Sequence, residues 1–130
     1  MDRSANMRAI RSKDMRPELA VRRLAHRMGY RFRLHRKDLP GKPDLVFISR
    51  RKVIFVHGCF WHSHKGCKTA HVPKSNLEYW KPKLERNQAR DAKNIEALSS
   101  TGWKSLIIWE CETREVSGLA QRLKIFLQKK

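Results

Sequence analysis

Pro43-Asp44-Leu45-Val46-Phe47-Ile48-Ser49-Arg50-Arg51-Lys52-Val53-Ile54-Phe55-Val56-His57-Gly58-Cys59-Phe60-Trp61-His62 decides how this chain folds. Leu45–Ile48 and Val53–Val56 are short apolar runs separated by the basic turn Ser49-Arg50-Arg51-Lys52. Two such runs around a short polar turn predict a β-hairpin whose strands are buried on both faces. The hairpin carries Asp44 at the start of one strand and His57 at the end of the next. Antiparallel pairing then sets the two side by side at one end of the sheet. A carboxylate and an imidazole at the rim of a buried sheet, in a strongly basic chain, point to phosphodiester chemistry.

Working outward, Pro17 and Glu18 suit a helix start, and Val21, Leu24, Ala25 and Met28 mark one face of a helix over 17–28 that Gly29 ends. Tyr30, Phe32 and Leu34 alternate with Arg31, Arg33 and His35, the pattern of a half-buried strand. Leu39-Pro40-Gly41-Lys42-Pro43 is a tight connection that delivers Asp44. Residues 58–82 show no sustained period and contain Gly58, Gly66, Pro73 and Pro82, so they read as a long loop that something must hold. Residues 83–101 read as a helix with a buried stripe of Ala89, Ala92, Ile95 and Leu98, flanked by Lys83, Arg86, Arg90 and Lys93 and ended by Gly102. A buried strand over 104–110 and a final helix through Val116, Leu119, Ala120, Leu123 and Phe126 or Leu127 complete the chain. The expected order is α, three strands, α, β, α around a mixed sheet in one domain over 17–130, preceded by a basic arm at 1–16.

Thirty Lys and Arg against 12 Asp and Glu give the 130 residues a formal net charge of +18. The excess is shared: residues 1–37 hold 12 basic and 3 acidic residues, and residues 38–130 hold 18 and 9. A field spread over the whole fold implies a polyanionic partner, nucleic acid first. A ribosomal-type binder or a merely soluble basic domain would carry the same charge. The three cysteines cannot all pair, and neither a signal peptide nor a segment of the roughly 20 apolar residues that span a bilayer is apparent. The expected location is the bacterial cytoplasm or nucleoid, with reduced thiols and no membrane association.

Cys59, His64, Cys67 and Cys111 have the chemistry of a single tetrahedral zinc site. Three fall in one short run, and Cys111 follows a strand end where it can meet the loop. Three unrelated buried thiols are the plain alternative. Trp103 and Trp109 read as core, whereas Phe60, Trp61 and Trp80 stand in basic loops without period. Such side chains can wedge into a base stack, or they can pack over a zinc loop.

These residues also form a wider pattern: Met7-Arg8-x-Ile10-Arg11-Ser12-Lys13-Asp14, Pro17-Glu18, Leu39-Pro40-Gly41-Lys42-Pro43-Asp44, Val53 through His62, Glu78-Tyr79-Trp80, Asn87-x-x-Arg90-Asp91, Gly102-Trp103 and Trp109-Glu110-Cys111. It resembles the very-short-patch-repair (Vsr) endonucleases from about residue 5 to 112. The resemblance implies a restriction-endonuclease-like α/β fold with a mixed central sheet flanked by helices and a zinc-tethered loop. It implies a magnesium-dependent nickase that cuts 5′ to the T of a T·G mismatch left by deamination of 5-methylcytosine. Double-stranded DNA is then the partner of a monomeric enzyme, with functional links to a cytosine-5 DNA methyltransferase and to mismatch-repair proteins.

Carried over by the same resemblance, Asp44 binds Mg²⁺ and Val56 can add its main-chain carbonyl. His57 and His62 are the active-site histidines, with Glu18 supporting His62 as general base and His57 serving the leaving group or the transition-state charge. Cys59, His64, Cys67 and Cys111 hold structural Zn²⁺, and Phe60, Trp61 and Trp80 intercalate. Arg11, Lys13, Lys81, Lys83, Arg86 and Asn87 are the expected DNA contacts. Two positions depart from the pattern: Val56 stands where some members carry Thr, and the His64–Cys67 spacing is one residue longer than in some. These departures keep open a nuclease of another specificity, defensive or structure-selective, on the same scaffold. A non-enzymatic zinc module that grips DNA is the third reading, and it leaves Glu18, Asp44, His57 and His62 without a purpose.

Overall fold

The computed structural model describes residues 17–34, 36–59 and 77–128. The arm expected at 1–16 and most of the loop expected at 58–82 fall outside them. Helix α1 spans Pro17–Arg27 and opens with Glu18 in its first turn. Strand β1 (Leu45–Phe47) leads through a 3₁₀ turn, Ile48–Arg50, into β2 (Lys52–His57). Helix α2 (Leu77–Ser100), strand β3 (Lys104–Trp109), a second 3₁₀ turn over Glu110–Arg114 and helix α3 (Val116–Gln128) follow.

The sheet runs β1-β2-β3. Leu45 pairs with Ile54 and Phe47 with Lys52 in an antiparallel ladder. On the other side β2 and β3 are parallel, from Lys52 opposite Lys104 to His57 opposite Trp109. Parallel neighbours need a crossover, and α2 supplies it. The strands are apolar on both faces because both are covered. Leu45, Phe47, Ile54 and Ile108 pack against Val21 and Ala25 of α1 and Leu119, Leu123 and Leu127 of α3. Val46, Val53 and Phe55 face the other way, against Leu98 of α2, with Ile95, Trp103 and Ile107 beside them. Each fully buried Leu, Ile or Phe contributes about 1.5–3 kcal/mol, so these two layers fix which face every strand residue takes.

Four expectations are corrected. The alternation at Tyr30, Phe32 and Leu34 is real in burial, and Phe47 meets the rings of Tyr30 and Phe32 edge-on. Yet that segment joins the sheet only through a single bridge, Arg33 to Val46, so the described residues form three strands rather than four. Lys52, assigned to the turn, instead starts β2 almost fully buried; its Nζ donates to the Phe126 carbonyl at 2.5 Å. There, together with Arg50, which donates to the Leu127 carbonyl, it satisfies the open end of α3.

Helix α2 begins at Leu77, six residues before the expected start, and carries Pro82 inside it. Proline removes one hydrogen bond but leaves its fixed φ helical. Tyr79 and Trp80 are therefore on a helix, not in a loop. Finally, Ala89 and Ala92 are exposed; the stripe that faces the sheet is Leu84, Asn87, Asp91, Asn94, Ile95 and Leu98. Among the described residues no helix is long and apolar enough to cross a membrane.

Candidate active site

The register of the β1–β2 ladder sets Asp44 opposite Phe55 rather than His57. Cross-strand partners share a face, and so do residues two apart on one strand. Asp44, Phe55 and His57 therefore all face α2. The inward stripe of that helix meets them with Asp91 and Asn94. The result is a cavity of about 230 Å³ lined by Gly41, Lys42, Asp44, Phe55, Val56, His57, Asp91, Asn94 and Ile95. It opens at the carboxyl end of β2, the end where ligands bind in open α/β sheets.

Each side chain is held. The Val56 N–H donates to Asp44 Oδ2 at 2.6 Å, and the Asp44 N–H donates to the Ile54 carbonyl at 3.0 Å. The carboxylate thus lies against the main chain of Val56. His57 is 6% exposed. Its ring stands between Phe55, at 5.8 Å, and Trp109, at 5.4 Å and edge-on. Its Nδ1 lies 4.0 Å from Asp91 Oδ2. That separation is longer than a hydrogen bond, so Asp91 acts on the ring through its charge across the cavity. Gly41 closes the wall: a β-carbon there would sit 3.0 Å from both Asn94 Cβ and Phe55 Cε1, tight enough that one of them would have to give way. With φ at +78° its backbone is also in the region glycine occupies without strain.

Asp91 and Asn94 were not assigned a role from sequence. The signal was present, because Asn87, Asp91 and Asn94 recur at spacings of four and three on one helical face. It is masked because an inward helical stripe is ordinarily apolar, and here it is polar where the cavity lies.

The other expected site residues are distributed as follows. Glu18 is half-buried in the first turn of α1 and is not among the residues that line the cavity. Its proposed partner His62 lies outside the described residues, as do Phe60, Trp61, His64, Cys67, Arg11 and Lys13. Cys59 is fully buried and Cys111 partly so. Each follows its strand by two residues, and the parallel pairing of His57 with Trp109 brings the two strand ends together. The Cys59 N–H donates to Glu110 Oε1 at 3.3 Å, which ties that end to the β3 side. Two of the four expected zinc ligands therefore emerge from adjacent strand ends; among the described residues no three His, Cys, Asp or Glu side chains converge as a metal cluster.

Trp80, Lys81, Lys83, Arg86 and Asn87 share the first three turns of α2. Trp80 packs edge-on against exposed Tyr79, whose hydroxyl accepts from Lys83 Nζ at 2.8 Å. Lys81 and Arg86 are exposed, and Asn87 lies one turn before Asp91 on the inward face. The carboxylate and imidazole of the cavity thus face the same helix whose first turns carry basic and aromatic side chains, an arrangement suited to a nucleic-acid backbone.

Comparison with known proteins agrees with this chemistry. The family model for DNA mismatch endonuclease Vsr matches residues 1–69. The chain is 56% identical over 121 residues to the type II nicking enzyme V.XorIIP of Xanthomonas oryzae pv. oryzae, covering 93% of this chain and 88% of that protein. It is 40% identical over 121 residues to the type II nicking enzyme V.NmeAIP of Neisseria meningitidis, covering 93% and 86%. It is 44% identical over 112 residues to the DNA mismatch endonuclease Vsr of Escherichia coli, covering 86% and 71%. By this likeness the chain belongs to the Vsr family of DNA mismatch endonucleases.

Proposed function

We propose that this endonuclease nicks one strand of duplex DNA at a T·G mismatch, hydrolysing the phosphodiester 5′ to the mismatched T. The observation that carries the reading is the cavity that joins Asp44, His57 and Asp91 at the end of β2 in a chain of this family. Hydrolysis needs the phosphate charge offset, a proton taken from water and a proton given to the leaving oxygen.

Asp44, with the Val56 main chain beside it, fits a hard cation held by few protein oxygens; Mg²⁺ is bound this way, keeping water and substrate phosphate as its other ligands. Bound there, Mg²⁺ would polarise the phosphate and offset the charge it gains. His57, oriented by Asp91 and the two flanking rings, holds a proton at the cavity wall for the departing oxygen. His62, supported by Glu18, is the proposed base that receives the proton of the attacking water. Cys59, His64, Cys67 and Cys111 are proposed to hold structural Zn²⁺, which suits the meeting of the Cys59 and Cys111 strand ends. Phe60, Trp61 and Trp80 are the proposed wedges that open the stack at the weaker mismatched step, with Lys81, Lys83, Arg86 and Asn87 against the strand.

The test is a strand-resolved nicking assay on duplexes that differ in one base pair, T·G, T·A or C·G, with Mg²⁺ or EDTA. The proposal expects a single nick, 5′ to T, in the T·G duplex with Mg²⁺ alone. Equal cutting of the matched duplexes would replace it with a nuclease of broader specificity.

A further inference from the structure

We propose that Lys42 is a further catalytic residue, whose ammonium meets the scissile phosphate at the mouth of the Asp44–His57–Asp91 cavity. The assignment rests on that cavity being the nuclease centre.

Lys42 lines the cavity although its side chain is exposed, so it stands at the entrance rather than in the wall. Its position is fixed from both sides. Gly41 is pressed against Asn94 and Phe55, and Pro43 is fully buried. The Lys42 N–H itself donates to the Leu39 carbonyl at 3.2 Å. Between these anchors the Lys42 backbone has φ at +50°. That is the left-handed region, where a β-carbon is disfavoured and Gly or Asn is the ordinary occupant. A lysine kept in strained backbone at the rim of a functional cavity is the kind of outlier from which a role is inferred. What lysine adds over Gly or Asn here is a charged amine on a long stem.

The charge has a use. Of the described residues that line the cavity, Asp44 and Asp91 bring carboxylates, and Lys42 alone brings an amine. Among the described residues no ion pair engages Lys42, so its ammonium is available to an incoming anion. In hydrolysis a water oxygen bonds to phosphorus and one P–O ester bond breaks. One water proton ends on the departing oxygen, and the other leaves with the new phosphate or passes to solvent. Throughout, the non-bridging oxygens carry the extra charge. Lys42 remains an ammonium from start to finish and donates hydrogen bonds to one of those oxygens, an interaction that strengthens as the charge builds.

The experiment compares wild type with Lys42→Met, Lys42→Arg and Lys42→Gly on a T·G duplex, beside Asp44→Asn. Lys42→Met is expected to lower the single-turnover nicking rate about 100-fold, the scale for losing one donor to a reacting oxyanion. Lys42→Arg should retain most of the rate. Lys42→Gly removes the backbone strain, so it should melt no lower than wild type and still be as slow as Lys42→Met. A second readout uses binding in EDTA to a duplex with a neutral methylphosphonate at the scissile position. Lys42→Met should weaken binding to the ordinary duplex but not to the neutralised one. Nicking by Lys42→Met within threefold of wild type, full activity of Lys42→Gly, or the same binding loss on both duplexes would overturn the assignment. If Asp44→Asn is inactive while Lys42→Met is not, the cavity stands and Lys42 falls. Full activity of Asp44→Asn would remove the cavity reading and the Lys42 role together.

Discussion

Asp44→Asn and Asp44→Ala separate what the Asp44 carboxylate does for the fold from what it does for the reaction. Its Oδ2 accepts the Val56 N–H at 2.6 Å in a part-buried position. Asparagine can keep an oxygen there while losing the charge. A hydrogen bond to an ionised group is worth about 1.5–3 kcal/mol and a neutral one about 0.5–1.5 kcal/mol, so the exchange costs about 1 kcal/mol. Alanine leaves the N–H without that acceptor, at about 1–3 kcal/mol. With roughly 3–5 °C of Tm per kcal/mol for a chain of this size, Asn should lower Tm by about 4 °C and Ala by up to about 12 °C. Neither loss unfolds a domain with about 5–15 kcal/mol of stability.

The reaction should respond on another scale. Both variants lack the charge that would hold the cation, so single-turnover nicking should fall at least about 1,000-fold in each, or about 4 kcal/mol of barrier. DNA binding should stay within a few fold, because the +18 field is nearly unchanged. The assay is thermal melting, anisotropy binding and quenched-flow nicking on one preparation of each protein. Nicking by Asp44→Asn within tenfold of wild type would refute the charge argument. An Asp44→Ala protein that melts with wild type would refute the role of the Val56 hydrogen bond.

Asp91→Ala should leave the fold intact and slow nicking on the order of 10- to 100-fold, the range seen when a group that orients a functional imidazole is removed; an unchanged rate would mean that His57 is oriented without it. Gly41→Ala should lower both Tm and nicking, because its β-carbon would meet Asn94 and Phe55 at 3.0 Å; a wild-type rate would show that the loop can retreat from α2 at no cost. Cys59→Ser or Cys111→Ser should lower Tm sharply and abolish the one equivalent of zinc expected in freshly purified protein, since metal-binding free energy is folding free energy; a folded sample free of zinc would remove the site. Trp61→Ala should reduce nicking of T·G duplexes far more than salt-sensitive nonspecific binding, and diminish the response of a 2-aminopurine beside the mismatch; if both survive, Trp61 is not the wedge.

The sheet was legible because its chemistry is local. Leu45–Phe47 and Val53–Val56 are apolar runs bounded by polar turns, and such runs have little choice but to pair and be covered. The helix ends were legible for the same reason: Gly29 and Gly102, each with φ at +89°, follow α1 and α2 as expected.

Tertiary choices were less so. Nothing in the alternation of Tyr30, Phe32 and Leu34 says whether their backbone finds a partner, and only Arg33 does so as a bridge. Pro82 looks like a helix boundary in sequence, but only long-range packing decides whether a helix tolerates it. Asp44 and His57 were legible as neighbours at one end of the hairpin and both line the cavity, yet their pairing was off by two residues, because register is set by the whole ladder and not by its ends. Asp91 was missed because its importance comes from α2 lying across the sheet, a contact between residues far apart in sequence. Membership of an endonuclease family sets aside the reading of a non-enzymatic zinc module.

The central claim is that the reaction happens in the cavity between the end of β2 and α2. Its most direct measurement is a crystal of the protein with an uncleaved phosphorothioate T·G duplex and Mn²⁺ in place of Mg²⁺, with anomalous scattering recorded at the manganese edge. The account predicts a manganese peak at about 2.1 Å from an Asp44 carboxylate oxygen, the octahedral oxygen distance for such ions. The scissile phosphate should complete its coordination beside His57. A manganese peak and a scissile phosphate seated away from Asp44, His57 and Asp91 would contradict it.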